Sequence, residues 1–186
     1  MKLYCLGDSN TWGLDPRSPL GDRYPEPWCD CLGKLLGQEV FCDGMNGRTI
    51  RDVCRGYSLL KTRLDREKPG LLILLLGSND LLLSDSPDPA AAAGSMEELL
   101  SMLRADFKNL PILLLSPPAI RIPGPWAEAV RNLGAHMEGL AGAYHTDFLN
   151  LSRCSLPLAW DGVHLTEEGH RLLAHILFSV LKKTEA

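Results

Sequence analysis

Short apolar segments of four to six residues alternate along this chain with longer segments of helical periodicity. The most constraining of them is Leu71–Leu76, which lies between Pro69-Gly70 and Gly77. Its leucines favour a helix by intrinsic propensity, but a run this short between two breakers is typical of a strand buried on both faces. The alternation of such strands with helices predicts repeated β/α units around a parallel sheet.

The predicted strands are Lys2–Leu6, Glu39–Cys42, Leu71–Leu76, Ile112–Leu115 and Tyr144–Phe148. The predicted helices are Trp28–Leu36, Ile50–Glu67, Ser95–Lys108, Pro125–Ala141 and Thr166–Lys183. Thr166 is a suitable N-cap for the last helix, and the two glutamates after it favour the positive end of the helix dipole. The segment Ser84–Gly94 is rich in Asp, Pro and Ala, and we expect an irregular surface excursion there that can serve as a mobile rim.

The composition indicates one soluble globular domain over residues 1–186. A length of 186 residues suits a single core, and 45% hydrophobic with 23% charged residues can bury enough apolar surface to fold. The net charge is −4 and the basic residues are scattered. A nucleic-acid partner is therefore not expected.

The N-terminus becomes polar too early for a signal peptide, and no apolar run reaches the ~18 residues of a membrane helix. We therefore expect a cytoplasmic protein without membrane insertion. The six cysteines should then stay reduced. Cys29-x-Cys31 is the only close cysteine spacing in the sequence, and without a second pair it favours buried or incidental thiols over a zinc site. No metal and no cofactor are predicted.

Ligands of an open parallel sheet bind beyond the carboxyl ends of its strands, so the loops after the strands are the places to search for chemistry. The first predicted strand is followed by Gly7-Asp8-Ser9-Asn10. A serine at this point can be exposed at the edge of the sheet, with backbone N–H groups around it. An ordinary turn or helix cap is the alternative interpretation, because Asp and Ser are common in both.

A second motif, Asp161-Gly162-Val163-His164, directly precedes the last predicted helix. A carboxylate three residues before a histidine can fold back onto the ring and accept a hydrogen bond from one nitrogen. The other nitrogen is then free to act as a base. The alternative is a surface loop with a chance histidine.

Two further motifs follow the third and second predicted strands, respectively. In Gly77-Ser78-Asn79-Asp80, the neutral amide of Asn79 could stabilise a transient oxyanion. In Asn46-Gly47-Arg48-Thr49, the Gly47 N–H could be a second donor, because glycine permits close backbone approach. A plain turn remains the alternative for the first of these motifs.

Taken together, these four motifs resemble the blocks of the SGNH, or GDSL-type, hydrolases over nearly the whole chain. The resemblance implies a three-layer α/β/α sandwich with a flavodoxin-like five-stranded parallel sheet. It implies Ser9 as nucleophile and a triad completed by Asp161 and His164. It also implies an oxyanion hole formed by the Ser9 and Gly47 N–H groups and the Asn79 side chain.

Leu6–Gly13, Arg23-Tyr24, Trp28 and Gly44–Thr49 are similar to the arylesterase and acyltransferase-like branch of that family, except that Asn10 stands where leucine is common. The candidate substrate-binding residues are Asp8, Asn10, Trp12 and Arg48. A pocket wall and a core position are equally compatible with Trp12. A substrate carboxylate or plain solvent could face Arg48, and the solvated arginine is favoured.

The sequence thus predicts a serine ester hydrolase that acts on small or short-acyl carboxylic esters through an acyl-enzyme. A carbohydrate O-deacetylase, a lysophospholipase or thioesterase, and an acyltransferase with the same triad stay open. The non-enzyme alternative is a catalytically silent binding module of the same fold. A phosphate-binding module is disfavoured, because the first loop lacks a glycine-rich fingerprint and Asp8 would repel an anion. Association into a homo-oligomer is compatible with the sequence.

Overall fold

The computed structural model describes residues 2–184 and contains a five-stranded sheet in which all strands are parallel. The strands are β1 (Leu3–Gly7), β2 (Val40–Gly44), β3 (Leu71–Leu75), β4 (Ile112–Leu115) and β5 (Asp147–Leu149). Their order across the sheet is β2-β1-β3-β4-β5. The predicted α/β class and flavodoxin-like strand order are confirmed.

Helices connect the strands and lie on both sides of the sheet. They are α1 (Ser9–Trp12), α2 (Trp28–Leu36), α3 (Ile50–Arg55), α4 (Tyr57–Glu67), α5 (Ser78–Leu82), α6 (Pro89–Asp106), α7 (Trp126–Ala143) and α8 (Glu167–Thr184), with a 3₁₀ turn at Leu151–Arg153. None of the helices within residues 2–184 combines the length and the apolar character needed to cross a bilayer.

The sheet separates two apolar clusters. Tyr4 and Leu6 of β1 pack into the cluster that also contains residues of α3, α4, α6 and α7. Leu3 and Cys5 point to the other face, where they pack with residues of α2 and α8. Because successive side chains of a strand alternate between faces, every strand contributes to both clusters and a three-layer α/β/α sandwich results.

The leucine-rich third strand forms as predicted because it has neighbours on both sides. Leu71 pairs with Leu3 of β1, while Leu72 pairs with Ile112 of β4. All five residues of β3 are buried. Tertiary pairing and burial on both faces thus override the helical propensity of leucine.

Several predicted boundaries are wrong, chiefly in the segment after β3. Helix α6 begins at Pro89, so the irregular excursion predicted over residues 84–94 ends at Asp88. The Asp88 carboxylate caps the helix by accepting from the N–H groups of Ala90 and Ala91, each at 3.0 Å. Proline at the first helical position is already preorganised for a helix. Both signals are local and were present in the sequence.

Other helix and strand boundaries also differ from the predicted ones. The predicted helix over residues 50–67 is divided at Gly56 into α3 and α4. Helix α7 continues to Ala143, so β5 begins at Asp147 and is shorter than predicted. The N-cap of α8 is confirmed, since Thr166 Oγ1 accepts from the Gly169 N–H at 3.0 Å.

The thiols of buried Cys29 and half-buried Cys42 support the turn of α1. The thiols of Cys29 and Cys42 donate to the Thr11 carbonyl at 3.3 and 3.2 Å. Burial raises the pKa of the Cys29 thiol well above its ordinary value, which favours the protonated form. All six cysteines are free. Cys31 donates its thiol hydrogen to the Glu26 carbonyl, and residues 2–184 contain no group of three or more His, Cys, Asp or Glu side chains suited to a metal.

Close packing of α1 against β2 depends on Gly44. A Cβ atom at this position would lie 2.1 Å from the Trp12 nitrogen and 2.5 Å from the Trp12 Cα. Because both atoms belong to the backbone, no side chain can move aside to make room.

We expect Gly44→Ala to lower the free energy of unfolding by about 1–3 kcal/mol, the usual cost of overpacking. Urea denaturation measures this quantity. Gly142→Ala is the matched control, because a Cβ there meets nothing within 4 Å and alanine is the better helix former. Equal stability of the two variants would contradict the packing argument.

His170 of α8 is fully buried and accepts from the Trp28 N–H at 3.3 Å. Burial lowers the pKa of His170 to about 3, and the positive charge of Arg23 acts in the same direction. An unfolded chain binds this proton with the ordinary histidine pKa of 6.5. The native state is therefore penalised as the pH falls from about 6.5 towards about 3.

We expect the stability of the wild-type protein to fall over this pH range by up to about 1.4 kcal/mol per pH unit relative to His170→Gln. Above pH ~7 the difference between the two proteins should be constant, because neither state binds the proton there. Urea unfolding at a series of pH values gives the comparison, with His136→Gln on the exposed face of α7 as control. Parallel stability curves for the wild type and His170→Gln would show that burial does not depress this pKa.

Candidate active site

Ser9 lies where β1 passes into α1. The Asp8 carboxylate caps α1 by accepting from the Asn10 N–H at 2.9 Å. Gly7 makes the turn possible, because a Cβ there would lie 2.0 Å from Thr11 Oγ1 and 2.6 Å from the Leu75 carbonyl oxygen. Ser9 is the first residue of α1, directly after the Asp8 cap. The N–H group of a residue at this position has no acceptor within the helix.

The loop before α8 brings His164 to this serine. The distance between Ser9 Oγ and His164 Nε2 is 2.9 Å, and that between His164 Nδ1 and Asp161 Oδ2 is 2.6 Å. The side chains of His164 and Asp161 are 19% and 20% exposed, so solvent reaches the group without surrounding it. The structure thus brings together the three residues that the resemblance pairs across the chain.

Asp161 stabilises its own loop as well as the histidine ring. Its Oδ1 accepts from the N–H groups of Val163 and His164, each at 3.0 Å. Burial acts to raise the pKa of Asp161, but the hydrogen bonds from the His164 ring and from the two backbone N–H groups outweigh it and lower the pKa. An ionised carboxylate can only accept, so it holds the proton of the neutral imidazole on Nδ1 and leaves Nε2 as the acceptor towards Ser9.

Gly162 allows the tight loop between Asp161 and His164. Its φ of 71° lies in the left-handed region, and a Cβ would lie 2.4 Å from the Arg121 carbonyl oxygen. The Gly162 carbonyl accepts from the Arg121 N–H at 2.7 Å. This bond connects the loop to the segment that follows β4.

Asn79, which follows β3, and the Gly47 loop, which follows β2, lie together beyond the carboxyl ends of these strands. Asn79 Nδ2 donates to the Arg48 carbonyl at 3.0 Å, which orients the amide and uses one of its two N–H hydrogens. Gly47 is exposed and has a φ of 74°. The Asp80 carboxylate connects the same two loops by accepting from the Ile50 N–H at 3.0 and 3.1 Å. The two candidate oxyanion donors therefore belong to one hydrogen-bonded unit.

Arg48, a candidate for substrate binding, is buried, in contrast to the solvated arginine favoured by its residue type. Its guanidinium donates to the Gly7 carbonyl at 3.0 Å and to Asp43 Oδ1 at 2.9 Å. These bonds join the second-strand loop to the residue that precedes Asp8. They give Arg48 a structural role in place of the substrate contact suggested by the sequence.

Asp8 and Asn10 are also buried, with exposures of 1% and 2%. Burial raises the pKa of Asp8 to about 6, against the opposing effects of the Asn10 N–H and of His164. Neither side chain therefore has the exposure expected of a substrate contact. Trp12 is half-buried, and the Arg23 guanidinium lies 5.1 Å from the centre of its ring.

A cavity of about 290 Å³ opens beside Asn79. Its lining includes Thr49, Arg51, Leu83 and Ser84, none of which the sequence singled out as a site residue. Their position in the segments after β2 and β3 was the available signal, because ligands bind at the carboxyl ends of parallel strands. The side chain of Leu83 is 72% exposed.

The chain is similar in sequence and in fold to solved structures of esterases. The chain resembles the native aryl esterase of M. smegmatis, with 26% identity, a TM-score of 0.80 and coverage of 98% of each chain. It also resembles a carbohydrate acetylesterase family member from Sinorhizobium meliloti, with 25% identity, a TM-score of 0.84 and coverage of 98% of this chain and 97% of the other.

A curated relative is more distant. A protein of Acetivibrio thermocellus, provisionally named endoglucanase X, is 24% identical over an alignment of 124 residues that covers 62% of this chain. The match spans 51% of that protein, about half of its length.

Residues 5–172 match the family described as GDSL-like Lipase/Acylhydrolase. The match includes all four motifs and extends over most of the sheet and its helices. The chain therefore belongs to the GDSL-like lipase/acylhydrolase family.

Proposed function

We propose that this protein is a serine ester hydrolase that cleaves small or short-acyl carboxylic esters through an acyl-enzyme. The observation that carries the proposal is the 2.9 Å contact between Ser9 Oγ and His164 Nε2, with Asp161 Oδ2 at 2.6 Å from the other ring nitrogen. A hydroxyl, an imidazole and a carboxylate in this sequence of contacts form an activated nucleophile, a base and an orienting group.

In the proposed reaction, His164 Nε2 accepts the Ser9 proton as Oγ attacks the ester carbonyl carbon. The ionised Asp161 stabilises the imidazolium that forms. Collapse of the tetrahedral intermediate breaks the bond to the alcohol oxygen, which receives the proton from His164. Water then repeats the sequence on the acyl-enzyme, which releases the acid and restores Ser9.

Three N–H donors are proposed to hold the oxyanion: the backbone N–H groups of Ser9 and Gly47 and the side-chain amide of Asn79. The first-turn position of Ser9 leaves its N–H without a helical acceptor. One hydrogen of Asn79 Nδ2 is used by the Arg48 carbonyl, and the other is available to a ligand. Fixed donors of this kind stabilise the developing charge without reorganisation, so the proposed mechanism requires neither a metal nor a cofactor.

The cavity beside Asn79 is lined by Asn79 but by neither Ser9 nor His164, so it adjoins one proposed oxyanion donor and does not enclose the nucleophile. Its volume of about 290 Å³ is at the lower end of the range for small-molecule sites, and serine, threonine and charged side chains form much of its lining. Deacetylation of a carbohydrate is the second candidate. The likeness to a carbohydrate acetylesterase family member supports that candidate.

The first of two predictions from the proposed function tests nucleophile and base together. A fluorophosphonate probe should label the wild-type protein, and Ser9→Ala and His164→Ala should each abolish the labelling, because phosphonylation needs an activated hydroxyl. Ser179→Ala is the control, since this exposed serine donates to the His175 carbonyl at 2.9 Å, on α8. Failure of the folded wild-type protein to react would favour the catalytically silent binding module.

The second prediction concerns Asn79. We expect Asn79→Ala to lower kcat for p-nitrophenyl acetate by about 10²- to 10³-fold, the usual effect of removing one oxyanion donor. Loss of the bond to the Arg48 carbonyl should lower stability by only about 0.5–1.5 kcal/mol.

Steady-state kinetics and urea denaturation measure the two effects of Asn79→Ala separately. Asn132→Ala on the exposed face of α7 serves as control. A kcat equal to that of the control would remove Asn79 from the mechanism.

A further inference from the structure

Asn10 connects the two ends of the chain at the candidate site. Its Nδ2 donates to the Val163 carbonyl at 3.3 Å, and its Oδ1 accepts from the Leu165 N–H at 2.9 Å. The second of these contacts spans 155 residues of sequence. Asn10 immediately follows Ser9 in α1, so one short turn carries both the serine and this carboxamide.

The two backbone groups bound by Asn10 belong to the residues on either side of His164. A carboxamide has a donor and an acceptor in one rigid plane. Bonds to a carbonyl on one side and an N–H on the other therefore restrain both the position and the rotation of the intervening residue.

The histidine loop is also restrained from within. The His164 N–H donates to Asp161 Oδ1 at 3.0 Å, and the His164 carbonyl accepts from the Ala159 N–H at 2.8 Å. Asp161 and His164 thus belong to one braced loop. Asn10 connects that loop to the turn that carries Ser9.

We propose that Asn10 is a positioning residue whose carboxamide aligns the His164 imidazole with the Ser9 hydroxyl. The inference rests on the proposed function, since it concerns the alignment of the proposed base with the proposed nucleophile. It replaces the substrate contact suggested by the sequence, because a side chain that is 2% exposed is shielded from a ligand in the cleft.

The expected signature is kinetic. A displacement of about 1 Å in reacting groups can cost about 10²-fold in rate. Removal of the carboxamide frees the loop to move relative to Ser9, so the chemical step slows. Substrate binding should change little, because Asn10 does not touch the substrate. A fall in kcat at nearly constant KM distinguishes positioning from binding.

The test compares Asn10→Ala and Asn10→Asp with the wild type in hydrolysis of p-nitrophenyl acetate and in inactivation by a fluorophosphonate. For Asn10→Ala we expect kcat and the inactivation rate to fall by between about 10- and 10²-fold, with KM within about threefold. Asn10→Asp keeps the acceptor for the Leu165 N–H but loses the donor to the Val163 carbonyl. Its loss of rate should be smaller.

Asn150→Ala is the matched control for lost stability. The Asn150 carboxamide accepts from the Ser116 hydroxyl at 3.0 Å and from the Ser152 N–H at 3.1 Å, beyond β5. This variant should lose stability but keep kcat within about twofold of the wild type, because these bonds do not involve the His164 loop. Assays are run at a temperature at which circular dichroism shows every variant to be folded.

A second readout does not depend on catalysis. Amide hydrogen exchange, followed by NMR, should show a protected Leu165 N–H in the wild type and faster exchange in Asn10→Ala, with protection kept in Asn10→Asp. The inference is overturned if kcat of Asn10→Ala equals that of Asn150→Ala. It is also overturned if KM rises at constant kcat.

The proposed function can fail separately. If the wild type neither hydrolyses the ester nor reacts with the fluorophosphonate, the hydrolase proposal is wrong. The exchange of the Leu165 N–H then decides whether Asn10 holds the loop: faster exchange in Asn10→Ala supports the restraint, and unchanged exchange overturns it.

Discussion

The contact between Ser9 Oγ and His164 Nε2 joins side chains 155 residues apart, and the rest of the site depends on it. The fold brings them together in two ways. Strand β1 lies inside the sheet, so its carboxyl end opens among the other strand ends. Helix α8 packs with α2 on one face of that sheet, which holds the loop before α8 at the same edge. A small shift of either element would break the contact between the two side chains.

Buried and half-buried polar residues maintain this arrangement. Arg48 connects the second-strand loop to the Gly7 carbonyl, Asp80 connects it to α5, and Asn10 connects the first turn to the histidine loop. Each of these groups has lost solvent on folding, and its hydrogen bonds offset that cost. Because the partners are mostly backbone atoms, the bonds fix the paths of the loops. The proposed oxyanion donors and the proposed base are thereby preorganised, and such preorganisation is the main source of electrostatic stabilisation in enzymes.

Much of the fold could be predicted from local pattern. Short apolar runs between breakers gave five strands in the right places, and Leu71–Leu75 is a strand in spite of its leucines. Among the features of the fold that were not predicted are the start of α6 and the short helix α1. Asp88 and Pro89 are a helix start that the composition of the segment obscured. Four-residue α1 was not predicted, because such a short helix has almost no periodicity and depends on the Asp8 cap and on packing against β2.

The sequence by itself determined the alternation of strands and helices, three motifs after strands and a fourth before the last helix. It also determined the spacing of Asp161 and His164, which allows the carboxylate to fold back onto the ring. Only the tertiary structure decided which distant groups meet. The burial of Arg48 and the contacts of Asn10 with Val163 and Leu165 depend on strand order and register. The physical reason is that a buried polar side chain is stable only if it finds hydrogen-bond partners within the fold. Sequence spacing does not specify partners that lie more than a hundred residues away.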